Sequence, residues 1–406
     1  MIGRRRWPFR VTTPIWWGIR SACGTGTFDG LRRPRTRRLT PHRLRIHRRR
    51  VRRSPMPRTA LQRAAIRQLT LPVAASMTRR DSDRMTDTDR SFADETVMRA
   101  VELPQWGDAD LLTVVEHPVP QPGPGQAVVR IEAAGINPVD WKVRTGAYSA
   151  AFGEPFPLIL GRDFAGTIVT IGEQTTRFRV GQRIAGSLRF APRLGCYASH
   201  LVIGDAAVAT LPADMDAAVA AALPVAGLTA WQALLEEAQV TAGQRVLVHA
   251  AAGGVGHLTV QLAKLLGAEV IGTASARNAE FVQGLGADEV IDYSTRPFED
   301  QVSDVDAVID CVGGEVLEHS YRVLKPGGIA VTMAARPDPA PAEALGVRTS
   351  MVFVRPDSLQ LQGLVTLVQQ GQLTVHVSQR YALAEAAAAH AEQQEGHVRG
   401  KLVLMP

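Results

Sequence analysis

The chain has 406 residues, of which 45% are hydrophobic, and this is enough for two domains with sizeable cores. Its three cysteines are too few for a disulfide framework, which argues against a secreted protein. No apolar run approaches the roughly 20 residues that a membrane helix needs, so the composition predicts a cytoplasmic protein that does not enter a membrane.

The formal charge of +7 is distributed unevenly along the chain. Residues 1–80 contain 22 arginines, no lysine and a single acid, Asp29, whereas the remaining residues carry a net charge of −14. An acidic globular part therefore follows a very basic extension.

The extension, residues 1–96, shows no sustained helical or strand period, and clusters such as RRPRTRRLTPHRLRIHRRRVRR interrupt any pattern. Such a segment buries too little apolar surface to offset its ordering entropy, so we predict that it is disordered. Three interpretations of the extension are open. It is an arm that binds nucleic acid, a transit peptide, or a segment that is absent from the mature protein, which would then start near Met85. We favour the third interpretation and expect no nucleic-acid partner, because a selected phosphate-binding arm usually contains lysine as well as arginine.

From Val97 the chain contains short strand-like runs, namely VMRAVEL, LLTVVEH and QAVVRIEAAG, with turn signals such as QPGPG between them. This pattern predicts an all-β domain over residues 97–222.

From about Leu223 strand-like runs alternate with helix-length segments. The runs are RVLVHAA, EVIGTA, EVIDY, VDAVIDCVG and GGIAVTMA, and the helices include Leu258–Leu266, one that ends at Leu285, and Val316–Leu324. Such alternation predicts a parallel sheet covered on both faces, over residues 223–355.

Near Arg355 this alternation ends, and one helix and the run RGKLVLMP follow. We expect that terminal strand to rejoin the first domain, so that residues 97–222 and 356–406 form one unit. The run SMVFVR is an expected edge strand that can pair between the subunits of a homodimer.

The stretch HAAAGGVG, which ends at Gly256, lies between a predicted strand and a predicted helix. Glycines in this context suit the tight turn that brings phosphates to a helix N-terminus. The stretch departs from the pattern G-x-G-x-x-G because Ala251 stands in the first glycine's place, whereas Gly253 and Gly256 hold the other two. The alternative is a tight turn without a ligand.

The segment AAAGGVGHLTVQLAK resembles the nucleotide loop of the medium-chain dehydrogenase/reductase superfamily, in its quinone oxidoreductase branch. The resemblance covers about residues 97–406, because further segments agree in order: AGINPVDWKVRTG, GRDFAGTIVTIGEQTTRFRVGQRIAG, LPVAGLTAWQAL and GHVRGKLVL. It implies an α/β protein with a GroES-like β domain, a Rossmann domain with a doubly wound parallel sheet, and a cleft between them. It also implies cofactor contacts from Thr229, Ala252, Gly253, Gly254, Val255, Gly256 and Val312.

The residues after the second strand of the Rossmann domain favour NADP(H) over NAD(H). An NAD site places an acid there, but this chain has Ala274 or Ser275 in that place, followed by Arg277. A hydroxyl and a guanidinium can donate hydrogen bonds to a 2′-phosphate. Tyr293 matches a tyrosine that lies beside this phosphate in relatives. The alternative makes Arg277 a solvated surface residue and Tyr293 an edge aromatic.

The resemblance implies that the chain needs no zinc. Zinc-containing members of the superfamily place two cysteines and a histidine where this chain has Asn137, Arg162 and Val225, and none of these can serve as the family's zinc ligand. The cofactor then carries the reaction and the protein positions it.

Near the expected cleft, Asn137 can donate a hydrogen bond to a substrate oxygen, and Tyr148 matches a tyrosine that is proposed in relatives to face the substrate. A loop aromatic that only lines the cleft is the alternative for Tyr148, and Asp140 is expected to fix the loop. We therefore predict an NADPH-dependent, zinc-independent reductase of quinones or α,β-unsaturated carbonyls. The alternative is an NADPH-binding protein of the same fold with little turnover, associated with nucleic acid through the basic extension.

Overall fold

The computed structural model describes residues 95–153, 156–189 and 195–406. The predicted extension and the start near Met85 lie outside these residues, except for Glu95 and Thr96. No helix in the described ranges is long and apolar enough to cross a bilayer.

The first half of the described chain is mostly antiparallel sheet, as its short strand-like runs predict. β1, β2 and β4 form a three-stranded sheet, and β3 pairs with β5 and β7, β5 with β6, and β6 with β8. Apolar residues dominate β3, which is almost completely buried, whereas β5 is buried in its first half and exposed at its last two residues. The elements are β1 (Val97–Leu103), β2 (Thr113–Pro118), β3 (Ala127–Gly135), α1 (Pro138–Arg144), α2 (Ser149–Phe152), β4 (Leu158–Ile159), β5 (Asp163–Ile171), β6 (Arg183–Ser187), β7 (His200–Ile203), β8 (Ala207–Thr210), α3 (Ala217–Ala222) and α4 (Pro224–Gln232).

A six-stranded, fully parallel sheet follows, in the order β11-β10-β9-β12-β13-β14. Val246 and Val248 of β9 belong to the core on one face and Leu247 to the core on the other, so both faces are covered. The strand order reverses between β9 and β12, where a doubly wound sheet opens a crevice at the carboxyl ends of its strands. The elements are β9 (Arg245–Val248), α5 (Gly256–Leu265), β10 (Glu269–Ala274), α6 (Ala276–Gly284), β11 (Glu289–Asp292), β12 (Val305–Asp310), α7 (Glu315–Ser320), β13 (Leu324–Thr332), α8 (Ala340–Ala344) and β14 (Arg348–Met351).

The chain then returns to the first sheet, as expected. Val403 of the last strand pairs with Gly135 of β3, so β16 extends the sheet that contains β3, β5, β6 and β8, and β15 lies outside it. The returning elements are α9 (Ser358–Gln369), β15 (Val377–Ala382), α10 (Ala386–Glu395) and β16 (Lys401–Met405).

Two predicted elements end earlier than expected. The helix predicted over Val316–Leu324 stops at Ser320, because Leu324 pairs with Val305 as the first residue of β13. The run SMVFVR is strand only to Met351, at the outer edge of the parallel sheet. Beyond it, the Gln232 side chain hydrogen-bonds both the N–H and the carbonyl of Arg355, so these two groups take no part in strand pairing. The domain bounds and the homodimer stay predictions.

Candidate active site

The glycine-rich loop connects β9 to α5 at the carboxyl edge of the parallel sheet. A Cβ at Gly256 would overlap the carbonyl oxygen of Ala250, so the first residue of α5 has no room for a side chain. Within the described residues, the N–H groups of Gly254, Val255 and Gly256 donate to no protein acceptor. Free amides at the positive end of a helix dipole are a site for phosphate, so the loop fits the pyrophosphate of a dinucleotide.

Buried His257 holds this loop in place. Its Nδ1 lies 2.9 Å from the carbonyl oxygen of Gly253, and its Nε2 accepts from the N–H of His376 at 3.3 Å. These contacts require a neutral ring with its proton on Nδ1, and burial lowers the pKa of His257 to about 4. The Gly253 carbonyl is thereby turned into the protein, away from where an anion would bind.

The departure from the glycine pattern at Ala251 is accommodated by the neighbouring strand. Ala251 is fully buried, and its methyl carbon would lie 2.9 Å from a Cβ built on Gly272 of β10. The absence of a side chain at Gly272 therefore leaves room for the methyl group of Ala251, which stands where the pattern has its first glycine.

Two further predicted cofactor contacts lie on different elements. Val312 follows β12, is 50% exposed, and donates its N–H to Asp310 at 2.9 Å. Thr229 is buried in α4, and its hydroxyl donates to the carbonyl of Val225 at 2.7 Å. Val312 therefore presents an open apolar side chain beside a turn that buried Asp310 holds rigid, whereas the Thr229 hydroxyl is engaged within its own helix.

Ser275, Arg277 and Tyr293 line one cavity of about 570 Å³. Ser275 precedes the first residue of α6, Arg277 is an exposed residue of its first turn, and Tyr293 follows β11 with 47% of its surface exposed. The three residues predicted around a 2′-phosphate are thus neighbours in space.

Two acidic side chains that the sequence did not indicate line the same cavity. Glu392 and Glu395 come from α10, about a hundred residues further along the chain, and line it together with His397. The Glu392 carboxylate accepts from the hydroxyl of Tyr381, whereas Glu395 is exposed. No local signal in the sequence pairs α10 with α6, because only the fold brings them together.

Asp140 caps the start of α1 by accepting from the backbone of Asn137, the residue before the helix. The Asn137 N–H donates to Asp140 Oδ2 at 2.8 Å, and the Tyr197 hydroxyl donates to the same oxygen at 2.9 Å. Burial raises the pKa of Asp140 to about 6. The expectation that Asp140 fixes the loop is confirmed by these contacts.

The Asn137 side chain is 3% exposed and is engaged at both of its ends. Its Nδ2 donates to Asp163 Oδ2 at 2.9 Å, and its Oδ1 accepts from Lys401 Nζ at 2.6 Å. Lys401 was missed, although a lysine that begins an apolar strand in RGKLVLMP is an available signal. Tyr148 precedes α2 and is half-buried against the core of the β domain. The roles of Asn137 and Tyr148 toward a substrate stay predictions.

Asn137, Arg162 and Val225, which stand where zinc-containing relatives have their ligands, make other contacts in this structure. Arg162 donates from Nε and Nη2 to the carbonyl of Leu188, and the Val225 N–H donates to Asp163. Across the part of the chain that the structure describes, no group of three or more His, Cys, Asp or Glu side chains is arranged to hold a metal ion.

Comparison with known proteins gives two family matches. Residues 123–213 match the alcohol dehydrogenase GroES-like domain, and residues 285–404 match a family described as zinc-binding dehydrogenase. The architecture is therefore a GroES-like domain combined with a Rossmann-like parallel-sheet domain.

Individual relatives match along almost their whole length. The chain is 34% identical to the chloroplast envelope quinone oxidoreductase homolog of Arabidopsis thaliana, over 76% of this chain and 99% of the relative. It is also 34% identical to a 2-haloacrylate reductase of Burkholderia sp., with the same shares. The solved structure of the quinone oxidoreductase from Coxiella burnetii aligns with a TM-score of 0.73 at 35% identity, over 76% of this chain and 99% of that one.

Proposed function

The chain belongs to the quinone oxidoreductase branch of the medium-chain dehydrogenase/reductase superfamily and is an NAD(P)H-dependent oxidoreductase, and we propose that it reduces quinones or α,β-unsaturated carbonyls with NADPH and without zinc. The observation that carries the proposal is that Ser275, Arg277 and Tyr293 line one shared cavity, and the free amides of the glycine-rich loop support it. When bound, NADPH supplies the hydride.

The chain's own groups bind and orient this cofactor. The amides of Gly254, Val255 and Gly256 hold the pyrophosphate, and Ser275, Arg277 and Tyr293 surround the 2′-phosphate. Thr229 and Val312 flank the remainder of the cofactor. With His397 neutral, the cavity lining carries one positive charge, on Arg277, and two negative charges, on Glu392 and Glu395. The guanidinium of Arg277 therefore provides the attraction for the 2′-phosphate against two carboxylates.

Conjugated acceptors suit the groups around the expected cleft. Reduction of an isolated carbonyl develops negative charge on one oxygen, and zinc-containing relatives stabilise that charge with their metal. Asn137 and Tyr148 offer only neutral hydrogen bonds, which contribute less. A quinone or an enone spreads the charge into its own conjugated system. The relatives named for quinones and for 2-haloacrylate, both conjugated acceptors, support this choice.

The test compares acceptors under one set of conditions. NADPH oxidation is followed with quinones, enones and simple ketones, with and without a chelator, beside the Tyr148→Phe variant. We expect turnover only with the conjugated acceptors, no effect of chelator, and a decrease of about tenfold in Tyr148→Phe. Efficient reduction of simple ketones would overturn the substrate class. Complete loss of turnover in Tyr148→Phe with intact NADPH binding would make Tyr148 an essential acid.

For the assembly we propose a homodimer that pairs two copies through β14. This strand lies at the edge of the parallel sheet, and Phe353, just beyond it, is 67% exposed. Sedimentation velocity should give a dimer for the wild type and a monomer for Phe353→Asp. A monomeric wild type would exclude this assembly.

A further inference from the structure

A buried ammonium group lies under the expected cleft. Lys401, the first residue of β16, is 3% exposed, and its Nζ donates to the carbonyl of Ile136 at 2.5 Å and to Oδ1 of Asn137 at 2.6 Å. A buried cation is costly unless it is paired and hydrogen-bonded. Burial lowers the pKa of Lys401, while the nearby carboxylates of Asp163 and Asp140 favour its charged form.

The amide of Asn137 lies between this cation and an anion. Its oxygen faces Lys401, and its nitrogen donates to Oδ2 of Asp163, which is fully buried. A flipped amide would place its NH₂ group against the ammonium and its oxygen against the carboxylate. Both contacts would be repulsive, so the opposite charges on either side allow only one orientation of the Asn137 amide.

The same segment also contacts the nucleotide loop. The N–H of Gly400 donates to the carbonyl of Ala252 at 2.8 Å, and a Cβ on Gly254 would lie 3.1 Å from Cδ of Lys401. Gly400 has a positive φ of 67°, and a Cβ there would overlap the carbonyl of His376, so the turn before Lys401 requires glycine. Gly400 and Lys401 thus join the loop that fits the pyrophosphate to the side chain of Asn137.

We propose that Lys401 is a positioning residue for hydride transfer: its ammonium fixes the Asn137 amide, and its methylene chain holds that amide at a set distance from the nucleotide loop. The kinetic part of this inference rests on the proposed function, whereas the structural part does not. Loss of the ammonium should therefore slow turnover more than it weakens cofactor binding.

Asparagine side chains give a readout that needs neither cofactor nor activity. The chain has only two asparagines, Asn137 and Asn278, so selective ¹⁵N labelling yields two side-chain amide signals, and Asn278→Asp assigns them. Both amides are buried and hydrogen-bonded, but Asn137 Nδ2 donates to a carboxylate at 2.9 Å, whereas Asn278 Nδ2 donates only to the Ser275 hydroxyl at 3.4 Å. In the full-length wild type, the Asn137 amide protons should therefore exchange with solvent more slowly than those of Asn278. Equally fast exchange of both signals would overturn the proposal without any variant.

The variant that tests the ammonium is Lys401→Met, and Lys264→Met is its matched control. Lys264 pairs with Asp288 on the far end of α5, away from the cleft. In Lys401→Met the Asn137 signal should shift and exchange faster. The Asn278 signal should move less, because Asn278 contacts Arg399 but not Lys401. Lys264→Met should leave both signals unchanged.

Turnover is then normalised to bound NADPH. In Lys401→Met, kcat with 1,4-benzoquinone should fall by about ten- to a hundredfold, with an NADPH Kd within about threefold of the wild type. Unchanged kcat in a folded variant, or equal losses of NADPH affinity and kcat, would overturn the positioning role. If Lys401→Met does not fold, Asp163→Ala removes the opposite side of the clamp without adding an asparagine signal, and an unmoved Asn137 signal in that variant overturns the proposal. An inactive wild type would contradict the proposed function, whereas the amide signals would still decide the clamp.

Discussion

The proposed preference for NADPH depends on single charged side chains. Arg277 is exposed and supplies a guanidinium, and its Nη2 lies 3.5 Å from the carbonyl of His397. Glu395 is the exposed acid of the same cavity. A 2′-phosphate carries up to two negative charges. Arg277 should therefore strengthen the binding of a nucleotide with this phosphate, and Glu395 should weaken it.

Arg277→Ala should weaken NADPH binding and leave NADH binding nearly unchanged. Loss of one charge-assisted hydrogen bond costs about 1.5–3 kcal/mol, which is about ten- to a hundredfold in affinity. Calorimetric titration with both cofactors measures the two Kd values.

The control is Arg322→Ala, which removes an exposed arginine outside the cavity and should change neither Kd. Glu395→Gln should tighten NADPH binding by about threefold at most, because an exposed carboxylate is screened by solvent and salt. If Arg277→Ala weakened both cofactors equally, Arg277 would not contact the 2′-phosphate.

Asp140 should make stability depend on pH in an unusual direction. Burial raises the pKa of Asp140 to about 6, whereas an aspartate in an unfolded chain has a pKa of about 3.9. The folded state therefore holds the proton more tightly, so the contribution of Asp140 to stability is fully present below about pH 4 and is lost as pH rises through about 6. Between pH 4 and 7 this amounts to about 2–3 kcal/mol in the free energy of unfolding.

Asp140→Asn retains an oxygen that can accept from Asn137 and Tyr197 but does not titrate. Denaturant unfolding of both proteins at pH 4.5, 6 and 7.5 gives the difference, and the wild type should lose stability relative to the variant as pH rises. Parallel pH profiles would show that Asp140 has an ordinary pKa.

Contacts between side chains that are close in sequence could be predicted, whereas contacts between side chains that are far apart in sequence could not. Asp140 lies three residues after Asn137, so a capping role follows from the spacing. Lys401 contacts Asn137 across 264 residues, and Glu395 reaches the cavity of Arg277 from α10, more than a hundred residues further along the chain. Such contacts depend on the path of β16 and α10, which a single sequence does not specify.

Among the elements, the loop before α5 tolerates the least change. A Cβ at Gly256 would overlap the Ala250 carbonyl. Gly256→Ala should therefore displace the loop, lower the free energy of unfolding by about 1–3 kcal/mol and reduce NADPH affinity by about tenfold or more. Thermal unfolding and an NADPH titration measure both effects.

Gly284→Ala is the matched control, because a Cβ at this last residue of α6 has no heavy atom within 4 Å. Alanine should be neutral there or add up to about 1 kcal/mol of stability. A Gly256→Ala variant with unchanged NADPH affinity would mean that the nucleotide does not lie on this loop.

Elements with a clear period were predicted well, and their ends less well. The strands β1 and β10 have the bounds that the apolar runs VMRAVEL and EVIGTA predict. The helix over α7 was predicted too long, because the residues before Leu324 are equally compatible with a helix and with an approach to β13. The end of β14 depends on hydrogen bonds from Gln232, which is distant in sequence.

For the whole molecule, a protein that begins at Met85 should fold and work like the full chain. It keeps every described contact, including the N–H of Val119 on the Thr96 carbonyl and the Glu95 carboxylate near His200. The thermal midpoint should agree within about 2 °C and turnover with a quinone should be equal. A clear loss of either would show that residues 1–84 contribute to the enzyme.

The most direct test of the account is NADPH oxidation with a simple quinone by metal-free protein in the presence of a chelator. We predict that one NADPH is consumed for each quinone reduced, that turnover with NADH at low cofactor concentration is about tenfold or more slower, and that simple alcohols are not oxidised with NADP. Tight NADPH binding without reduction of any quinone or enone, or a rate that chelator abolishes, would contradict it.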